Sequence, residues 1–212
     1  MAKAVIFDRD GVILDSESTN IASAVECFKE LGIKIKKEER EWIVGRSAKD
    51  YLKFFSKKYD FSYEDFIKIQ KDSYYKHLES TLLFEDTISL IKKLHKNGFP
   101  LALTTSGGLN STSLILKKAN LEDIFNVIVT SENCKKKKPD PEPYLTTSKK
   151  LGIDPKYCVV VEDSYIGLES AKNAGMKCMI IPNKYTKKQD FSKADFIFYS
   201  ANKITLKMLK EI

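Results

Sequence analysis

The sequence has no run of about 18 uncharged apolar residues, and its apolar opening, Ala4–Phe7, is cut short by Asp8. A membrane span and a secretory hydrophobic region are therefore not expected, and the cytoplasm is the expected location. Cysteine is sparse: Cys27, Cys134, Cys158 and Cys178 stand far apart, with no C-x-x-C pair and no histidine nearby. Zinc and dithiol-redox chemistry lack their ligands, leaving reduced and mostly buried thiols. No G-x-x-x-x-G-K-[ST] segment occurs, which excludes a Walker-type nucleotide site. There is no internal repeat, and the one low-complexity tract is Lys135–Lys138. The net charge of +7 suits an anionic partner, but the lysines are spread along helical faces as on an ordinary solvated surface. A small phosphorylated metabolite is the expected partner of a monomer, with neither nucleic acid nor membrane involved.

What is present is an alternation of short apolar runs and helical periods. Ala4–Phe7, Leu101–Thr105, Val127–Thr130, Cys158–Val161, Cys178–Ile181 and Phe196–Tyr199 read as buried strands. Between them lie amphipathic stretches such as Thr87–Asn97, where Ile88, Ile91 and Leu94 share a face and Gly98 ends the helix. Continuous apolar strands separated by helices imply a parallel sheet covered on both sides, a Rossmann-like, doubly wound α/β architecture. From Ser16 to about Ser80 only helical periods occur. Ile21, Ala24, Val25, Phe28 and Leu31 share a face there, with Ser16 as N-cap and Gly32 as terminator. The expected organisation is thus a core of residues 1–15 and 81–212 carrying an all-helical insertion, 16–80, that overhangs the end of the first strand.

Polar residues follow four of the strands, at the edge where open α/β sheets bind ligands. Asp8-Arg9-Asp10-Gly11-Val12 can bring two carboxylates into one small volume; alone it could equally be a loop or part of a calcium site. Thr104-Thr105-Ser106-Gly107-Gly108 offers hydroxyls and flexible backbone to phosphate oxygens, or is a capped loop. In Lys138-Pro139-Asp140-Pro141 the prolines can turn a lysine inward, although its three lysine neighbours suit a solvated run. Glu162-Asp163-Ser164 closes a very apolar strand. Together these groups fit phosphoryl transfer assisted by Mg²⁺, an ion that prefers hard oxygen ligands. Asp8 is the expected nucleophile and Asp10 the general acid and base. Lys138 would neutralise phosphoryl oxygens, and Thr105 with the backbone of Ser106 and Gly107 would position the phosphate. Asp8, Asp163, Glu162 and the carbonyl of Asp10 would hold the metal.

In these motifs the chain resembles the haloacid dehalogenase-like phosphatase superfamily. The Gly167–Met176 stretch is similar to its beta-phosphoglucomutase-like branch. The resemblance spans nearly the whole chain. It implies a Rossmann-like core, a helical cap that closes over the substrate, a Mg²⁺ requirement and phosphorylation of Asp8. The segment Val44–Asp50 resembles the cap's substrate-contacting loop, which makes Arg46 and Lys49 candidate contacts, with surface charge the competing reading.

Departures from the pattern bear on the reaction. Members acting as beta-phosphoglucomutases carry a histidine near Asn20 and an arginine near Ala48, and both are missing here. The Pro-Gly expected near the second hinge is replaced by Phe84-Glu85-Asp86. Hydrolysis of a sugar phosphate or similar monoester is therefore the leading expectation, with phosphotransfer on a hexose 1-phosphate as the alternative. A non-catalytic phospho-acceptor signalling domain is more remote, because such domains place the acidic pair before the acceptor. Dehalogenation would leave Asp10 and the Glu162–Asp163 pair without work.

Overall fold

The structure is a computed structural model that describes residues 2–212. The chain forms two compact units, one made of the segment up to Leu14 together with Leu83–Ile212, the other of Asp15–Leu82.

The first unit is built on β1 (Ala4–Phe7), β2 (Leu101–Thr104), β3 (Val127–Val129), β4 (Cys158–Glu162), β5 (Lys177–Ile180) and β6 (Phe196–Ile197). All neighbours are parallel, in the order β3-β2-β1-β4-β5-β6. Every residue of β1, β2 and β4 is buried, as unbroken apolar runs require when both sheet faces are covered. Ala4, Ile6, Ala102, Val160 and Cys178 pack with Tyr144, Leu168 and Ala171 in one core cluster. The strand order reverses at β1, and the crevice beyond the carboxyl ends of β1 and β4 is the place where such sheets accept ligands. Val5 and Phe7 pair with Leu101 and Leu103 on one side and with Val159 and Val161 on the other. Asp8 continues this register, its amide donating to the Val161 carbonyl at 2.9 Å.

With the first unit belong α4 (Glu85–Lys96), α5 (Leu109–Ala119), α6 (Glu142–Leu151), α7 (Tyr165–Asn173) and α8 (Leu206–Glu211); the second holds α1 (Ser16–Glu30), α2 (Ala48–Phe55) and α3 (Tyr63–Glu79). The core of the second unit is aromatic. The Phe28 ring lies 4.8 Å from both Phe55 and Phe66, and each such pair adds about 0.5–1.5 kcal/mol beyond its burial. Buried Glu39 accepts from the Lys36 amide, Lys58 and the Tyr59 hydroxyl, so no bare charge is left inside.

Several boundaries differ from expectation for identifiable reasons. Asp15, and not Ser16, caps α1, its carboxylate accepting the Ser18 amide at 3.1 Å. Strand β2 stops one residue short of Thr105, whose hydroxyl is drawn into a turn by the Gly107 amide at 2.9 Å. Strand β4 runs one residue further, through Glu162. Strand β6 keeps only Phe196–Ile197, since Tyr199 is 87% exposed and has nothing to bury against. Helix α4 starts two residues early, with Glu85 and Asp86 in its first turn, where the N-terminal dipole favours acids. No helix among the described residues is long and apolar enough to cross a membrane. Cys27, Cys158 and Cys178 are buried free thiols, and Cys134 is part-buried.

Candidate active site

Lys138 stands at the centre of the site. Its three lysine neighbours, Lys135–Lys137, are exposed, whereas its own side chain is only 4% exposed. The loop is pinned by Glu142, whose carboxylate accepts the amides of Lys135 at 2.8 Å and Lys136 at 3.0 Å. From there the Lys138 Nζ donates to Asp8 Oδ1 at 2.6 Å, Glu162 Oε1 at 2.7 Å and the Tyr144 hydroxyl at 2.9 Å. Tyr144 is fully buried on α6 and donates to Glu162 Oε1 at 3.0 Å. Glu162 Oε2 accepts from the amides of Asp163 and Ser164 and from the Ser164 hydroxyl at the start of α7. Gly167 is required beside it, because a Cβ there would lie 1.8 Å from Glu162 Oε1.

The Asp8-to-Asp10 segment places its two carboxylates differently. Asp8 is buried within reach of the late acidic pair: one ligand oxygen from each of Asp8, Glu162 and Asp163 falls within 4.8 Å of the others. Asp10 is turned toward Arg9 and the turn after β2. Its carboxylate accepts two guanidinium nitrogens of Arg9 at 3.0–3.1 Å and the Thr105 hydroxyl at 3.0 Å. Arg9 is itself 2% exposed, and its Nη1 donates to Ser111 Oγ at 2.8 Å and Thr112 Oγ1 at 3.1 Å. A Cβ on Gly107 would sit 2.3 Å from Arg9 Nη2, so the glycine is demanded by the guanidinium behind the loop. The Gly107 amide is engaged by Thr105, whereas Ser106 is exposed.

The charges are unbalanced. Asp8, Asp10, Glu162 and Asp163 stand against Arg9 and Lys138, an excess of two negative charges when all are ionised. Burial pushes Asp8 up to about 7, with Glu162 and Asp10 adding to the shift and Lys138 opposing it. Asp163 is raised well above the carboxylate range by burial and by the negative charge of Glu162 and Asp8. Burial also disfavours ionised Glu162 and Asp10, but Lys138 in the first case and Arg9 in the second outweigh it and lower both. Buried oxygen ligands with a surplus of two negative charges are the donor set that a hard divalent cation such as Mg²⁺ fits.

Most of the sequence-nominated residues therefore lie in one neighbourhood: Asp8, Asp10, Thr105, Lys138, Glu162 and Asp163. Arg46 and Lys49 belong to the second unit. There Arg46 stacks 4.7 Å from the Trp42 ring and donates to the carbonyls of Glu41, Trp42 and Val44, while Lys49 is exposed in the first turn of α2. Sequence reasoning gave no role to Arg9, Tyr144 or Asn183. The last donates to Asp163 Oδ2 at 2.7 Å.

This strand order, with acids and a lysine gathered at the carboxyl edge beside β1, defines a Rossmann-like α/β enzyme core. The chain belongs to the haloacid dehalogenase-like hydrolase family, whose profile matches residues 5–181. It is 33% identical to YhcW of Bacillus subtilis (strain 168), named provisionally as a phosphatase, over 99% of this chain and 96% of that one. A beta-phosphoglucomutase of the same bacterium is 27% identical over 99% of this chain and 94% of its own length. Among solved structures, CbbY from Rhodobacter sphaeroides in complex with xylulose-(1,5)bisphosphate superposes with a TM-score of 0.83 at 25% identity, covering 99% of each chain.

Proposed function

We propose that this protein is a Mg²⁺-dependent phosphatase that hydrolyses a small phosphate monoester, such as a sugar phosphate, through an aspartyl-phosphate on Asp8. The observation that carries the reading is the Lys138 ammonium bridging Asp8 and Glu162 in a buried cluster that also holds Asp163. Asp8, Asp163 and the Asp10 carbonyl would hold the metal directly. Glu162, whose oxygens already accept from Lys138, Tyr144, Asp163 and Ser164, would contribute charge and orient Lys138. When bound, Mg²⁺ would screen the phosphoryl oxygens and keep Asp8 ionised.

The carboxylate of Asp8 attacks phosphorus while the ester P–O bond breaks. Asp10, which Arg9 holds ionised in the free protein, serves as the acid only after it leaves that pairing and takes up a proton, which it then gives to the departing oxygen. Lys138 balances charge on the transferred group, and the exposed Ser106 donates hydrogen bonds to its oxygens. Water then attacks the acyl phosphate, Asp10 takes its proton, and inorganic phosphate leaves with Asp8 restored. Arg46 and Lys49 are assigned to the substrate's non-reacting part. The reading is of a cytoplasmic monomer acting on a phosphorylated metabolite.

Phosphate release measured across about fifty phosphorylated metabolites, with and without Mg²⁺, tests this. Release from at least one ester, lost with EDTA and in Asp8→Asn, is expected. Equal background from wild type and Asp8→Asn on every ester would refute it. The likeness to a beta-phosphoglucomutase supports a second reading, phosphotransfer on a hexose 1-phosphate. Formation of glucose 6-phosphate from beta-glucose 1-phosphate, with a bisphosphate primer, far faster than phosphate release would favour it.

A further inference from the structure

Asn183 follows β5 in a segment that reads as an ordinary polar turn. Its Oδ1 accepts the backbone amides of Tyr185 at 2.9 Å and Thr186 at 3.3 Å, and its backbone N–H donates to Thr186 Oγ1 at 3.0 Å. These bonds fix the rotation of the side-chain amide: with the oxygen committed to its own loop, the NH₂ must face away. It faces Asp163 Oδ2 at 2.7 Å and the Gly11 carbonyl at 3.5 Å. Gly11 closes the same spot from the other side. Its φ is +77°, and a Cβ on it would lie 2.2 Å from Asp163 Oδ2 and 2.9 Å from Asn183 Nδ2. The turn after β1, the end of β4 and the loop after β5 thus converge on one oxygen of one carboxylate.

We infer that Asn183 is a positioning residue for the divalent cation: it occupies Oδ2 of Asp163 and leaves Oδ1 as the oxygen offered to the ion. The inference rests on the metal-dependent reading above. The choice of residue type supports it. An amide donor holds the carboxyl group in place without supplying a counter-charge, so that part is left to the cation, whereas a lysine in the same place would compete with the ion. The fixed amide also restrains Asp163 from swinging to share both oxygens with the cation, which favours the compact shell that Mg²⁺ demands.

The test is Mg²⁺ binding to metal-free protein, measured by calorimetry for wild type, Asn183→Ala and Thr186→Val, together with the thermal midpoint of each without metal. Asn183→Ala is expected to raise the dissociation constant about 10–100-fold, the range for loss of a group that orients a metal ligand. Thr186→Val, which loosens the loop but keeps the amide donor, is expected to bind within about threefold of wild type. An Asn183→Ala variant that binds as wild type, or that only melts earlier with its affinity intact, would overturn the inference. So would equal weakening in both variants, which would make the loop and not the donor responsible. Wild-type protein that takes up no Mg²⁺ would instead refute the proposed function, and this inference with it.

Discussion

Replacing Lys138 by methionine keeps most of the side-chain volume and deletes one charge. In the wild type the ammonium satisfies Asp8 and Glu162 at 2.6 and 2.7 Å, with all three side chains less than a tenth exposed. Removing one partner of a buried ion pair leaves its carboxylates uncompensated, at a cost of about 3–5 kcal/mol. For a chain of this size each kcal/mol moves the thermal midpoint by roughly 2–4 °C, so a fall of roughly 6–20 °C is expected at pH 8. At pH 5 the fall should be smaller, because Asp8, already raised to about 7, takes up a proton and removes part of the repulsion. The control is Lys137→Ala, on an exposed neighbour, expected to stay within about 0.5 kcal/mol of wild type. Thermal unfolding of metal-free protein at the two pH values reads all of this, and phosphatase assays with Mg²⁺ should find Lys138→Met inactive and Lys137→Ala unaffected. Equal shifts for the two variants, or a Lys138→Met loss that does not depend on pH, would refute the central placement of Lys138.

Asp8→Asn should abolish turnover yet stabilise the metal-free protein above pH 7. The folded state holds a proton on Asp8 that the unfolded chain has lost, so this group makes stability fall as pH rises from about 4 to about 7, and the amide removes that penalty. The same linkage predicts that Mg²⁺ affinity climbs with pH as Asp8 and Asp163 lose their protons, with proton release on binding; calorimetry in buffers of different ionisation enthalpy checks both. Gly167→Ala should cost at least about 2 kcal/mol and lower kcat, because the new methyl overlaps Glu162 Oε1 and displaces the partner of Lys138; urea unfolding and kinetics measure the two effects. Asp10→Asn should lose about 10²–10⁴-fold in rate through the missing acid and base, while Mg²⁺ binding measured directly persists.

The sheet was legible because its strands are continuous apolar runs. β1 has the predicted bounds, and the errors fall at strand ends: a side-chain bond decides the last residue at Thr105 and Glu162, and the exposure of Tyr199 cuts β6 short. Lys138 could be nominated among four lysines only because Pro139 and Pro141 flank that end of the run, and burial now separates it from the others. Tyr144 was hidden because an aromatic on a helix face is ordinarily core, and here it is core and a hydrogen-bond partner together. Asn183 left no signal at all, since its role depends on a side-chain rotation set by neighbouring amides. The second unit showed its helices by period but not the directions of Arg46 and Lys49, because exposed charged side chains carry no periodic constraint.

The guanidinium lodged behind the turn that holds Gly107 also constrains how this sequence can change. Arg9 fills the space a side chain at position 107 would need, and it does so while tied to Ser111, Thr112 and Asp10. The two positions cannot drift independently. A larger residue at 107 overlaps the guanidinium unless position 9 has shrunk, and shrinking position 9 first strips Asp10 of its counter-ion, so either first step disturbs the buried cluster.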